Sequence, residues 1–531
     1  MRLDRLSIPS YRNLRSFEID FDEAQPTTVL LGRNGTGKSN LIEAIVEIFR
    51  ELELGGTPAF AYTLEYVCRD RAIKIDADPT RPSKRLEITV DGKLLTQTAF
   101  QRDLNTYLPN YVFAYYSGWS SRLERHFDRP TRKHYERILK SPDRQLPLRR
   151  LFFCRKEYSQ LVLLAFFLSK PASAREVLEK HLHIKCFESA LFVLKTPWWR
   201  GSGAPNRTQQ AEGDPRFWYA RGAFKGFLDR LWGRALAPIR NTEAVDRDVR
   251  RQGESTERLY LFVKNEAELA GLKQKHEDSK TLFGYLESLF LCDLIDEVRV
   301  TVERTDGTRV KFTQMSEGEQ QLLTVLGLLL FTQNDESLYL LDEPDTHLNP
   351  VWTYDFLKLL QDNIRPEKGQ LIVATHNPLM IGSLHKNQVR ILAEQDNRIV
   401  ASEPEYDPMG IGVEGLLKSE LYGLPSTLAP EILKKLDRHY LLLGKEDKTD
   451  AEQAELMSLA AELNNLGVAR THPNPYFEHF ANAMARRAPE RDVSLSKKDI
   501  DDQTKLADEV LAEVLAEERV EERAKEEGEP A

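Results

Sequence analysis

The eight residues Gly32-Arg33-Asn34-Gly35-Thr36-Gly37-Lys38-Ser39 constrain this chain more than any other stretch. They match GxxxxGK[ST], and they lie between an apolar run, Thr27 to Leu31, and a segment of helical character from Ser39 to about Glu51. Strand, glycine turn and helix in that order are the context the pattern needs. The glycines let backbone amides turn inward around phosphate oxygens, and the helix N-terminus adds its positive end. In such a loop Lys38 reaches the β- and γ-phosphates of a nucleotide, and the Ser39 hydroxyl holds Mg²⁺. Arg33, Asn34, Gly35, Thr36, Gly37 and Asn40 complete the candidate nucleotide-binding set.

Three further stretches supply the rest of such a site. Leu338-Tyr339-Leu340-Leu341-Asp342-Glu343 reads as a buried strand ending in two acids. Asp342 is placed to bind Mg²⁺ through water, and Glu343 to polarise the attacking water as general base. His376 follows another apolar strand, Leu371 to Ala374, where an imidazole can donate to the γ-phosphate or the attacking water. Met315-Ser316-Glu317-Gly318-Glu319-Gln320-Gln321 opens a helix. Ser316 with Glu319 makes a capping box; Ser316 and the Gly318 amide are also placed to bind a γ-phosphate held by a second subunit, and Glu319 is counted with them in the nucleotide-binding set.

These stretches divide the chain. With 531 residues, 41% of them hydrophobic, it is long enough for several domains and a sizeable core. Residues 1–118 and 294–402 read as two lobes of one α/β ATPase head, a mixed sheet flanked by helices. Residues 119–293 form a basic, mostly helical insertion without sustained heptads. Residues 403–496 carry a helical hairpin, and 497–531 a charged tail. No stretch approaches the apolar length of a membrane span. The N-terminus lacks the apolar core of a signal peptide, and four widely separated cysteines fit a reducing compartment, so the expectation is cytoplasmic.

The order of these motifs resembles that of ABC-type ATPases, within them the SMC/RecF/OLD branch. The resemblance spans about 1–120 and 295–400. It implies a head-to-tail dimer holding two ATP molecules between heads, with Met315 to Gln320 as the signature and Asp345 and His347 crossing the interface. A glutamine for the Q-loop is not apparent; Tyr116-Ser117-Gly118 stands at its place.

Gly415-Leu416-Leu417, Glu420 to Thr427, the compact basic insertion and the hairpin ending in Asn474-Pro475-Tyr476-Phe477 are similar to the PtuA-type ATPases of Septu and retron-associated antiphage systems. That resemblance implies a partner HNH nuclease docked on the C-terminal region. In the retron version it also implies a reverse transcriptase with its RNA–DNA hybrid. After Ser402 the one DxD, Asp499-Ile500-Asp501, lies at the start of the charged tail and not on an expected strand end, and no metal-spaced His/Cys cluster is present, so cutting is not expected of the chain. The alternative is a RecF-like repair ATPase that binds DNA gaps or ends.

Charge is patterned along the chain. Arg122 to Lys156 holds twelve Lys/Arg against four acids, whereas 501–531 holds twelve acids against four bases. Arg122, Arg125, Arg132, Lys133, Arg149 and Arg150 are therefore candidates for nucleic-acid phosphates, with a solvated helical surface as the competing reading.

Overall fold

The computed structural model describes residues 1–140, 148–170, 172–200, 204–222, 224–245, 254–275, 277–424, 426–445 and 447–466. The Asn474 to Phe477 stretch expected to end the hairpin and the charged tail lie outside the described residues. The chain divides into two units: 1–380 with 392–402, and 381–391 with the residues from 403 on.

The first unit is built on a seven-stranded sheet. Its order is Arg398–Ser402, Val389–Gln395, Thr27–Leu31, Gly369–Ala374, Ser337–Asp342, Tyr111–Tyr116 and Leu151–Phe153. From Thr27–Leu31 to Leu151–Phe153 the neighbours run parallel. Thr27–Leu31, Gly369–Ala374 and Ser337–Asp342 are buried at every position. Continuous apolar strands of this kind belong to parallel sheets covered on both faces.

A second, antiparallel sheet of six strands contains Arg2–Tyr11, Leu14–Asp20 and Tyr62–Cys68. Tyr62–Cys68 alternates buried with half-buried residues, the period of a one-sided sheet. The Gln370 side chain ties the two sheets together: its Oε1 accepts from Leu3 N at 2.7 Å and its Nε2 donates to Leu3 O at 3.3 Å. Helix Lys38–Leu54 lies between them. Its Leu41, Ile42, Ile45, Val46 and Phe49 share one core with Leu6 and Leu64 of the outer sheet and Leu338 and Ile372 of the inner one.

On the other face of the parallel sheet, Phe113 stacks on Tyr339 with centroids 5.4 Å apart and packs against Phe152. Behind them helix Tyr158–Ser169 is buried on all sides, as its continuous run Leu161 to Leu168 demands. It packs on helices Ser279–Leu291 and Glu317–Thr332.

The insertion is helix-rich, with helices such as Asp128–Lys140 and Lys225–Arg234, but it also contributes strands. Ile184–Lys195, Leu236–Val245 and Glu254–Val263 join Ile295–Arg304 and Arg309–Lys311 in a five-stranded antiparallel sheet. Val298, Val300 and Val302 show the period-two burial that anchors this sheet. In the second unit, helices Pro430–Leu443 and Asp450–Asn465 pair as a hairpin, with Arg438 bonded to Glu455 at 2.8 and 2.9 Å.

Candidate functional site

The glycine loop leaves strand Thr27–Leu31 and enters helix Lys38–Leu54 as the motif requires. Gly37 caps the helix at φ 92°. A side chain there would meet Leu14 Cδ2 at 2.8 Å and Asn13 Oδ1 at 3.0 Å, so both conformation and space demand glycine. The loop is braced from within: Thr36 N and Oγ1 both donate to Arg33 O, at 3.2 and 2.8 Å. Lys38 Nζ donates to Gly32 O at 2.7 Å. Burial lowers the Lys38 pKa, opposed by the nearby Glu343 and Asp342 carboxylates.

The two acids stand opposite. Asp342 ends its strand and is 2% exposed. Burial pushes its pKa up to about 6, opposed by a hydrogen bond from Ser39 and reinforced by the Glu343 charge. Glu343 turns the chain at φ 52°, a left-handed conformation that is strained for a side-chain-bearing residue and typical of functional positions. Its amide donates to Ala374 O at 2.8 Å, which fixes the turn to the neighbouring strand. His376 Nδ1 lies 2.6 Å from Glu343 Oε2. Burial raises the Glu343 pKa, opposed by His376 and Lys38.

A cavity of about 410 Å³ is lined by Asn34 to Asn40 with Tyr116, Arg122, Glu343 and His376. That volume is in the range of small-ligand sites. The donor set also suits Mg²⁺. Ser39 and Asp342 supply hard oxygens on one carboxylate–hydroxyl pair, and Asp342 Oδ1 is buried without a hydrogen-bond partner. Mg²⁺ is usually held by one or two such protein oxygens plus phosphates and water. A second cavity of about 350 Å³ flanks the start of helix Glu317–Thr332. It is lined by neither Lys38 nor Glu343, both of which line the first.

The signature stretch lies at the surface end of that helix. Ser316 is exposed and caps it: Glu319 N donates to Ser316 Oγ at 3.2 Å, and Ser316 N to Glu319 Oε2 at 2.7 Å. Glu319 is also engaged by Arg304 at 2.8 Å, so its carboxylate is occupied within its own head. Gly318 packs on the loop after the acid pair, where an added Cβ would sit 2.5 Å from His347 O. His347 is itself half-exposed, 3.5 Å from Glu317. Asp345 differs from the exposed interface residue expected: it is 5% exposed, and its Oδ1 accepts from Thr375 Oγ1 at 2.9 Å. It ties the acid-pair loop to the strand that carries His376. At the Q-loop position, Ser117 Oγ lies 2.8 Å from Thr346 Oγ1.

Two family models match this chain. One, an AAA ATPase domain, covers residues 1–164, and the other, an AAA domain described for the AbiEii toxin of a Type IV TA system, covers 202–382. Septu protein PtuA of Bacillus mycoides (strain KBAB4) is 30% identical over 205 residues, 36% of this chain and 28% of that protein. The chain is thus similar to AAA-type ATPases and, over about a third of its length, to PtuA. "Retron Vc95 probable ATPase" of Vibrio cholerae serotype O1 biovar El Tor is 26% identical over 156 residues, 27% of this chain and 30% of that protein. A second Septu protein PtuA, of Bacillus thuringiensis, is 25% identical over 36% of this chain and 52% of its own length. The matches thus span between about a quarter and a half of the relatives' own length. Among solved structures, the SMC head domain from Thermotoga maritima aligns over 76% of this chain and 100% of its own, at 14% identity and a TM-score of 0.32.

The candidate site contains residues that the motifs do not announce. The hairpin turn Arg12-Asn13 reaches over the loop, and Asn13 Nδ2 donates to Gly35 O at 2.7 Å. Asn40 Nδ2 donates to Asn13 Oδ1 at 2.6 Å. Glu43, one turn into the helix, is buried and forms ion pairs with both Arg12 and Arg122. Burial raises its pKa, but hydrogen bonds and charges from His126, Arg12 and Arg122 outweigh this and leave it lowered. The only sequence signal for Arg12-Asn13 was a pair of polar residues between two strand-like runs.

The basic candidates separate. Arg122 lines the cavity at the glycine loop and donates to Asn40 Oδ1 at 3.0 Å. Arg149 is 6% exposed, paired with Glu287 and stacked 4.3 Å over Phe152, so it is a core residue and not a phosphate contact. Arg150 is spent on backbone carbonyls of Leu108 and Pro109 and on Asn105 Oδ1 at 2.8 Å. Arg125, Arg132 and Lys133 are exposed. Among the described residues no group of three His, Cys, Asp or Glu side chains could hold a metal ion, and no helix is long and apolar enough to cross a membrane.

Proposed function

We propose that this chain binds and hydrolyses ATP with Mg²⁺ in a site completed by Ser316 and Gly318 of a second copy. We further propose that it works in the cytoplasm, within an antiphage defence complex, where its ATP cycle controls a partner HNH nuclease. The observation that carries the first part is the convergence of Lys38, Ser39, Glu343 and His376 on one cavity, with Asp342 hydrogen-bonded to Ser39 beside it. The second part is supported by kinship with proteins named Septu PtuA and retron ATPase.

The chemistry follows from the geometry. Lys38 and the loop amides hold the β- and γ-phosphates. Ser39 and Asp342 would hold Mg²⁺, which when bound would neutralise charge on the phosphate oxygens. Glu343 accepts a proton from the water that attacks the γ-phosphorus while the bond to the β–γ bridging oxygen breaks. His376 holds Glu343 in place. Asp345 and His347 keep the acid-pair loop seated against Thr375 and Gly318, so that movement of the head's own signature, when it engages the partner's nucleotide, is felt at Glu343. In the defence complex the 403–496 region docks the nuclease, with nucleic acid present and, in a retron setting, a reverse transcriptase and its RNA–DNA hybrid.

Glu343→Gln tests both parts. It is expected to bind ATP as the wild type does and to hydrolyse it at least about 100-fold more slowly. Co-expressed with an HNH protein from the same gene neighbourhood, the wild-type chain is expected to co-purify with it and to change its cutting when ATP is added. Loss of ATP binding in Glu343→Gln, or nuclease activity indifferent to ATP, would contradict the reading.

A further inference from the structure

The stretch Leu123 to Arg137 has two unlike faces. Leu123, Phe127, Pro130 and His134 are turned inward and buried, with Ile138 continuing the stripe. His134 is kept neutral there: burial, then Arg149 and Arg137, push its pKa down to about 3. On the other side Arg125, Arg129, Arg132, Lys133 and Arg137 are exposed, against the exposed acids Asp128 and Glu136. Glu124 is already taken by Arg155 at 2.9 Å. Arg129 reaches Glu51 at 3.5 Å while remaining 67% exposed. Arg125, Arg132, Lys133 and Arg137 form no ion pair among the described residues.

Twelve helical steps from 125 to 137 cover about 18 Å, over which one strand of a duplex passes about five phosphates. No residue from 125 to 137 is itself a large exposed apolar one, and the exposed Trp198 is confined to one edge, where it stacks on Tyr135 with centroids 6.4 Å apart. A protein partner would need an aromatic or aliphatic anchor there. A regular polyanion needs only the charges.

The inner end of the same stretch grips the helix that starts at the phosphate loop. Arg122 bonds Asn40 and Glu43, and His126 Nε2 lies 3.4 Å from Glu43. Arg50 Nη1 lies 2.9 Å from His126 Nδ1. Arg122 also lines the nucleotide cavity. We infer that residues 125–137 bind the phosphate backbone of nucleic acid, and that Arg122 couples this binding to the nucleotide pocket. The inference does not depend on a nuclease partner.

The test is fluorescence anisotropy of a labelled 24-bp DNA duplex with the full-length protein, from 50 to 200 mM salt, without nucleotide and with a non-hydrolysable ATP analogue. The triple variant Arg125→Glu/Arg132→Glu/Lys133→Glu is expected to weaken binding at least tenfold and to reduce the salt slope by about 3, one unit or slightly less per lost phosphate contact. Arg132→Gln/Lys133→Gln, a milder change at exposed sites, guards against misfolding and is expected to lose about two units of slope. Wild-type duplex affinity is expected to shift at least threefold with the analogue, and Arg122→Ala to abolish that shift while still binding duplex. Wild-type affinity and slope in the Gln variant would overturn the site. Equal affinity with and without nucleotide would overturn the coupling.

Discussion

At the scale of single residues, burial decides what each charged group can do. Asp342 is the clearest case, a carboxyl buried inside the head beside Ser39 and, in the proposed reading, held for a cation that arrives with the nucleotide. Its folded pKa of about 6 lies above the ordinary value of 3.8. The protonated form is therefore favoured in the fold, no cost is felt below about pH 4, and the cost grows as pH rises through 6. Two units amount to at most about 3 kcal/mol. Asp342→Asn is thus expected to raise the melting temperature of the nucleotide-free protein at pH 7.5 and to leave it nearly unchanged at pH 4, while losing the extra stabilisation that Mg²⁺–ATP brings. Arg149 makes the opposite point. Removing it strands Glu287, which is fully buried, and a broken buried pair costs about 3–5 kcal/mol. Arg149→Ala is expected to lower the denaturation midpoint sharply, and a fully stable variant with weakened nucleic-acid binding would return Arg149 to the surface candidates.

At the scale of elements, contiguous signals were readable and distant pairings were not. Gly32 to Ser39 carries its own conformational logic in eight consecutive residues, so loop, strand and helix were legible from the text alone. The same holds for the fully buried strands Ser337–Asp342 and Gly369–Ala374, whose unbroken apolar runs imply a sheet covered on both faces. Glu43 and Arg122 are 79 positions apart, and nothing in local spacing pairs them. The positive charge of 122–156 was visible, but its division into core, cavity and surface arginines depends on which face of each element packs inward. The long strands of the insertion were hidden because their buried positions are interrupted by register shifts between Ile184 and Cys186 and between Phe187 and Ser189. Packing between elements gives its own prediction. Gly327 in helix Glu317–Thr332 lies against Val162 so closely that a Cβ would overlap its Cγ1. Gly327→Ala is expected to destabilise the fold by about 1–3 kcal/mol, measured as a lower denaturant midpoint.

At the scale of the whole molecule, the account rests on a site shared between copies. One head holds the phosphate loop, the acid pair and His376, and its own Ser316 sits at an exposed helix start. The most direct test mixes two inactive variants, Lys38→Ala and Ser316→Arg, and measures ATP hydrolysis after subunit exchange. Each alone has two defective sites in a head-to-tail dimer. A mixed dimer has one intact site, built from the Ser316→Arg chain's Lys38 and the Lys38→Ala chain's Ser316. An equal mixture is therefore predicted to regain about a quarter of wild-type activity, since half the dimers are mixed and each has one working site of two. Hydrolysis no greater than the average of the two variants measured separately would contradict the shared site.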